Sequence, residues 1–176
     1  MAPTIVSKDL DHIEEFLNLH KVIITKPLYG NGGIGIHKFT KESFNREKLK
    51  PYLNLPIMIQ KFIKEIDKGD RRIILIDGDY VGSVARIPKK GSIKANFHAG
   101  GSAQKTGLVF KDRKICKILK SYLKNKGLFF TGIDVIGNYL TEINVTSPTG
   151  MQEINKLNSV KLEKIFWDKL EKKITK

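Results

Sequence analysis

The sequence predicts an α+β fold with mostly antiparallel strand pairing. Two apolar runs flank Asp77-Gly78-Asp79 and two more flank Gly137-Asn138, short polar turns of the kind that join neighbouring antiparallel strands. Residues 108–126 and 160–174 instead space their apolar side chains three and four apart, the period of amphipathic helices. No run approaches the roughly 20 apolar residues of a membrane helix, so no membrane partner is expected.

Each element has a local reason. Ser7 is placed to cap a first helix over residues 9–19, with Leu10, Ile13, Phe16 and Leu17 on one face. Residues 22–25 are a β-branched run and read as a strand. A glycine-rich turn follows, then a second strand over 34–39. Residues 42–53 read as a weak helix ended near Pro51, 57–63 as a buried strand and 64–70 as a polar loop. Strands 72–76 and 80–85 form the hairpin around Gly78. Residues 88–107 are rich in Gly, Lys, Ser and Ala; a loop this long in a compact domain serves as a lid or is disordered. The helix over 108–126 points Ile115, Leu119 and Leu123 inward and stops at Gly127. Strands 129–136 and 140–145 form the second hairpin. The last helix, 160–174, collects Leu162, Ile165, Phe166 and Leu170 on its apolar side. A division near Pro56 is expected, into lobes 1–56 and 57–176, although no linker composition marks it.

Composition narrows the function. Apolar residues make up 40% and charged residues 28% of the 176, which is neither disordered nor membranous. The N-terminus lacks the features of a signal peptide. The single cysteine, Cys116, excludes an internal disulfide and a multi-cysteine metal site and suits a reducing, cytoplasmic setting. The net charge is +14, with lysines spread along the whole chain and only five arginines, Arg46, Arg71, Arg72, Arg86 and Arg113. That pattern describes a solvated lysine surface better than a nucleic-acid footprint, so nucleic acid is not the expected partner. The histidines, His12, His20, His37 and His98, are scattered, and no Ser/His/Asp or Cys/His set is credible.

Three stretches carry chemistry. Lys26-Pro-Leu-Tyr-Gly-Asn-Gly-Gly-Ile-Gly35 lets backbone N–H groups approach an anion, as phosphate loops require, and equally reads as a plain glycine-rich hairpin. Asp134, Glu142 and Asn144 offer hard oxygen donors suited to Mg²⁺, or are surface groups flanking a turn. Arg72 and Arg86 lie on strands, where a buried guanidinium needs an anion; with Asp70, Arg71 and Asn96 they form an anion site, or they pair with Asp77 or Asp79.

Antiparallel geometry sets a condition on the second set, because directly opposed residues share a face. A two-residue loop at Gly137-Asn138 opposes Asp134 to Thr141 and separates the acids. An odd loop, Gly137-Asn138-Tyr139, opposes Asp134 to Glu142 and brings Asn144 to the same face. The odd loop is expected, since Gly and Asn tolerate the positive φ of bulged turns.

Taken together, Ile23-Ile-Thr-Lys-Pro-Leu-Tyr-Gly-Asn-Gly-Gly33, Gly69-Asp-Arg-Arg-Ile, Ala85-Arg-Ile-Pro, Ala99-Gly-Gly, Gly132-Ile-Asp-Val-Ile-Gly and Leu140-Thr-Glu-Ile-Asn-Val-Thr-Ser-Pro-Thr149 resemble the bacterial (prokaryotic-type) glutathione synthetases, in order and at matching separations. The resemblance covers essentially the whole chain, and the last motif is the most specific. It implies an ATP-grasp fold, with two α+β lobes holding ATP between them. It also implies ligation of γ-glutamylcysteine to glycine through an acyl phosphate, with release of ADP and phosphate. On that resemblance Lys26 would contact ATP phosphates and Gly30, Gly32 and Gly33 would form the phosphate flap. Gln60 and Ile63 would hold adenine by backbone groups, and Asp70 would reach the ribose. Arg72, Arg86 and Asn96 would steady the transferring phosphoryl group and the acyl carbonyl. Asp134, Glu142 and Asn144 would ligate Mg²⁺, with Mn²⁺ as a substitute, and Ser147 and Thr149 would meet the peptide substrate. Lys38, past the glycine loop, is expected to face solvent.

The family is roughly twice this length. On the resemblance, its N-terminal substrate domain is expected to be absent from this chain, and that domain or a homo-oligomer is the expected protein partner. Gly150 stands where many relatives carry cysteine. Two alternatives remain: an ATP-grasp carboxylate–amine ligase for another peptide or acid, and a non-catalytic, lysine-rich nucleic-acid-binding relative.

Overall fold

The computed structural model describes residues 1–29, 34–92, 95–97 and 100–175. The expected phosphate flap, Gly30, Gly32 and Gly33, lies outside the described residues. The chain forms two compact units, Met1–Lys64 and Glu65–Lys176.

The first unit is a four-stranded antiparallel sheet in the order β1-β4-β2-β3, formed by β1 (Thr4–Ser7), β2 (Val22–Pro27), β3 (His37–Thr40) and β4 (Ile57–Lys61). Helix α1 (Leu10–His20) covers one face, where Ile13, Phe16 and Leu17 pack on Ile23, Phe39, Ile57 and Ile59. Its cap is Asp9 rather than Ser7: the Asp9 carboxylate accepts from the backbone N–H groups of Asp11 and His12, while Ser7 Oγ accepts from Asp9 N–H. The expected helix over 42–53 shrinks to α2 (Arg46–Leu49) and a 3-10 turn at Lys50–Tyr52, because Pro51 has no N–H to continue an α-helix. Strand β4 is interior, paired with β1 on one side and β2 on the other. It therefore belongs to the first unit, and the division falls after Lys64 rather than at Pro56.

The second unit is a five-stranded antiparallel sheet in the order β7-β6-β5-β8-β9. Its strands are β5 (Asp70–Ile76), β6 (Asp79–Ile87), β7 (Ser102–Lys105), β8 (Phe130–Ile136) and β9 (Tyr139–Asn144). Strand β7 pairs with β6, so 88–107 is not one uninterrupted loop. The period of two sends alternate β5 residues to opposite faces. Ile73 and Leu75 meet Cys116 and Leu123 of α3 (Phe110–Asn125), while Ile74 and Ile76 meet Ile154 of α4 (Met151–Asn158) and Leu162 of α5 (Leu162–Ile174). Helix α4 is absent from the sequence reading because its eight residues offer too few turns for a periodic signal. Arg71 faces α3, where it makes two hydrogen bonds of 2.8 Å to the buried Asp112 and one of 2.6 Å to the Gly137 carbonyl. Among the described residues, no helix is long and apolar enough to cross a membrane.

The β8–β9 hairpin has a two-residue loop, with Ile136 opposite Tyr139, and not the expected three. The acids are nevertheless opposed. A register shift makes Thr141 the extra residue of a bulge, and Asp134 pairs with Glu142 and Gly132 with Asn144. Thr141 Oγ1 donates to the Asp134 carbonyl at 3.1 Å, which holds the bulge.

Candidate active site

Sheet register alone gathers six of the predicted residues on one face of the second unit. Asp70 and Arg72 share a face of β5 by the period of two. Arg86 of β6 lies opposite Asp70, Asp134 of β8 opposite Arg72, and Glu142 of β9 opposite Asp134, with Asn144 two residues along.

Their side chains form a continuous chain of charge. Arg72 Nε donates to Asp134 Oδ1 at 2.5 Å and Nη2 to Oδ2 at 3.0 Å. Arg86 Nε and Nη2 donate to the two Asp70 oxygens at 2.7 and 2.5 Å, and Nη2 also lies 2.9 Å from Asp134 Oδ2. The four side chains are at most 9% exposed. The guanidiniums thus find their anions in Asp134 and Asp70. Asp77 and Asp79, the other expected partners, pair with lysines. Removing one member of such a buried pair typically costs about 3–5 kcal/mol, because the survivor is left uncompensated.

The electrostatics follow the geometry. Burial pushes the Asp134 carboxyl up, but the hydrogen bond from Arg72 and the charges of Arg86 and Arg72 outweigh it and hold it below the ordinary value. Burial also dominates at Asp70, where Arg86 offsets it only in part and the carboxyl sits above its ordinary value.

The third expected metal ligand is therefore committed elsewhere. Both Asp134 oxygens accept from arginine, and Asn144 Nδ2 approaches Oδ2 at 3.5 Å. Glu142 is exposed and Asn144 half-buried, side by side on β9. Two hard oxygen donors of this kind fit Mg²⁺, which completes its shell with water and phosphate oxygens. Asp134 can join them only by releasing an arginine.

The surrounding residues seat the network. The Thr149 carbonyl accepts from Arg72 Nη1 at 2.8 Å, and Thr149 Oγ1 is 3.5 Å from the same nitrogen. Ser147 is exposed, with a φ of 127°. Gly132 permits the close approach of this segment, since a Cβ there would lie 2.6 Å from Pro148 Cβ and 3.3 Å from Arg72 Cδ. At Gly150, φ is 110° and a Cβ would meet Arg72 Cγ at 3.1 Å, so a side chain at this position requires a local shift. Asn96 is half-buried, and its carbonyl accepts from Gly101 N–H at 3.2 Å. Phe97, absent from the sequence reading, places its ring 5.8 Å from the Arg86 guanidinium. Its only sequence signal is an aromatic residue in a segment of small and basic ones.

The remaining candidates lie in the first unit. Lys26 is on β2 opposite Met58, and Gln60 pairs with both Thr4 and Ile24. Gln60 is buried and donates from Nε2 to Thr4 Oγ1 at 3.0 Å. Ile63 is buried just beyond the end of β4.

Comparison with known proteins places this geometry. Residues 1–159 match the family described as prokaryotic glutathione synthetase, ATP-grasp domain. The glutathione synthetase of Agrobacterium fabrum is 40% identical over 98% of this chain and 56% of its own length. That of Prochlorococcus marinus is 44% identical over 90% of this chain and 53% of its own length. The chain thus spans about half the length of these curated relatives. Among solved structures, D-cycloserine synthetase DcsG superposes with a TM-score of 0.67 at 14% identity, over 88% of this chain and 59% of that one. The ATP-grasp ligase PsnB, complexed with a phosphomimetic variant of its minimal precursor, Mg and ADP, gives 0.65 at 14% identity, over 91% and 49%. The fold is ATP-grasp.

Proposed function

Because the chain belongs to the prokaryotic glutathione synthetase ATP-grasp family, we propose that it is the nucleotide-binding part of an ATP-dependent carboxylate–amine ligase. We further propose γ-glutamylcysteine and glycine as the pair joined, through an acyl phosphate with release of ADP and phosphate. The observation that carries this reading is the single sheet face on which Arg72, Arg86, Asp134, Glu142 and Asn144 are brought together.

Phosphoryl transfer asks a protein chiefly for positioning and charge neutralisation. Arg72 and Arg86 are the donors for the charge that develops on the transferring group, and burial strengthens them by excluding water. Glu142 and Asn144 would hold the divalent cation. When bound, that ion neutralises the phosphate oxygens and orients them. Thr149, which accepts from Arg72, and Ser147 would meet the peptide, and Lys26 would contact the ATP phosphates. Asp70 fits the ribose role less directly, since both its oxygens are held by Arg86.

The test is titration of the full chain with Mg²⁺-ATP by calorimetry, followed by ADP release with γ-glutamylcysteine and glycine against other acid–amine pairs. Binding of Mg²⁺-ATP, with ADP release stimulated most by the named pair, is expected. No heat with Mg²⁺-ATP would refute the nucleotide assignment; equal stimulation by other acids would refute the substrate assignment.

A further inference from the structure

We propose that Arg71 is a positioning residue: it ties the turn of the β8–β9 hairpin to helix α3 and so holds in place the strand that carries Glu142 and Asn144. The inference rests on the nucleotide reading above and adds to it a residue, on the far side of the sheet, that sets the geometry of the site.

Arg71 stands next to Arg72 on β5 and points to the opposite face. Its guanidinium serves two elements at once. Nε and Nη2 donate to Asp112 Oδ2 and Oδ1, each at 2.8 Å, and Nη2 also donates to the Gly137 carbonyl at 2.6 Å. Asp112 is fixed in turn, since its Oδ2 accepts from Val109 N–H at 3.1 Å where α3 begins. The Arg71 and Asp112 side chains are 18% and 0% exposed. A buried ion pair is a poor source of stability, because desolvation consumes most of the attraction. It does admit few geometries, and what this one fixes is the position of the turn against the helix.

The hairpin needs such a tie. Among the described residues, β9 is the last strand of its sheet and pairs with β8 alone, and none of its six residues is buried. The turn residues Gly137 and Asn138 carry no charge for a neighbouring side chain to grip, so the main chain is the handle. Two pairs, Ile136–Tyr139 and Val135–Leu140, separate the turn from the Thr141 bulge, and the next pair is Asp134–Glu142. Without the tie that short stretch is free to open locally, and the bulge that sets Glu142 opposite Asp134 loses its support from the turn side. The two neighbouring arginines of β5 thus hold the hairpin from both faces, Arg72 through Asp134 of β8 and Arg71 through the turn.

The experiment compares two variants of the full chain with wild type. The double variant Arg71→Met with Asp112→Asn removes the tie without leaving a buried carboxylate alone. Leu123→Ala loosens the core on the same face of the sheet and leaves the tie intact. Melting temperature, amide hydrogen exchange and Mg²⁺-ADP affinity by calorimetry are measured for each. In the double variant, exchange over residues 137–144 rises about tenfold relative to the rest of the second unit, and Mg²⁺-ADP affinity falls about fivefold. Leu123→Ala melts earlier than wild type yet keeps both near their wild-type values. Should the double variant fail to fold, Arg71→Lys carries the test. It keeps a charge beside Asp112 but lacks the planar fork that meets Asp112 and Gly137 together, so local exchange rises and affinity falls while the melting temperature stays near wild type. A variant without the tie that keeps its Mg²⁺-ADP affinity, or loses no more of it than Leu123→Ala, overturns the inference and leaves the nucleotide reading standing. A wild type that binds no Mg²⁺-ADP overturns both.

Discussion

Lys26 and Lys38 lie on the same face of the first sheet. Lys38 is opposite Ile24, and Lys26 follows Ile24 by two residues. They differ in surroundings. Lys38 is exposed, as the sequence leads one to expect, and its ammonium rests 4.0 Å above the Phe62 ring. Lys26 stands next to the last residue of β2, where the chain enters the glycine loop. Lys26→Ala should therefore lower Mg²⁺-ATP affinity by roughly tenfold, about 1.4 kcal/mol. Lys38→Ala should change it by less than about twofold, a few tenths of a kcal/mol. Equal losses for the two variants in a calorimetric titration would remove Lys26 from the phosphate site.

Between elements, the turn joining β5 to β6 acts as a clasp. Asp79 pairs with Lys120 of α3 at 2.6 Å and Lys169 of α5 at 2.9 Å. Asp77 pairs with Lys124 and Lys173 of the same helices at 3.2 and 2.6 Å. The two helices cover opposite faces of the sheet, so the turn grips both. Hydrogen bonds from Lys120 and Lys169 pull the Asp79 carboxyl down from 3.8 to about 2. A depressed carboxyl contributes stability above its unfolded value and loses it as pH falls through the folded one. The wild-type melting temperature should thus drop between pH about 4 and pH about 2 more steeply than that of Asp79→Asn. The pairs are partly exposed and screened, so high salt should narrow the difference. Parallel pH profiles for the two proteins at low salt would show that the clasp contributes nothing.

For the molecule as a whole, each unit has its own core. In the second, Leu123 is fully buried among Ile73, Leu75, Ile133 and Val135. Leu123→Ala should cost about 2–5 kcal/mol through lost burial and the cavity it leaves. The single tryptophan, Trp167, lies on α5 of the same unit. The loss should therefore appear as an earlier urea midpoint in its fluorescence. An unchanged midpoint would mean that this side chain is not packed as described. The net charge of +14 belongs to this scale too. It is spread as lysine, several of them paired to acids, while Arg71, Arg72 and Arg86 pair with Asp112, Asp134 and Asp70.

Local chemistry determined most of the elements from sequence alone. The periods of two and 3.6, the turns at Gly78 and Gly137-Asn138 and the stop at Gly127 all act over a few residues, and the motif spacing carried the family. What escaped was short or non-local. Strand β1 exists because β4 pairs with it, α4 is too brief to show a period, and the unit boundary depends on which sheet β4 joins. The acid pairing shows the division most plainly. The sequence reading expected a three-residue loop so that Asp134 could oppose Glu142, whereas the structure has a two-residue loop, with which that pairing conflicts unless a residue is spared. Only the tertiary structure spares one, by bulging Thr141 out of register. Only the tertiary structure, likewise, commits Asp134 to Arg72 and Arg86. A strand sequence says which residues share a face, but which charges on that face neutralise one another depends on neighbouring strands 16 and 62 residues away in the chain.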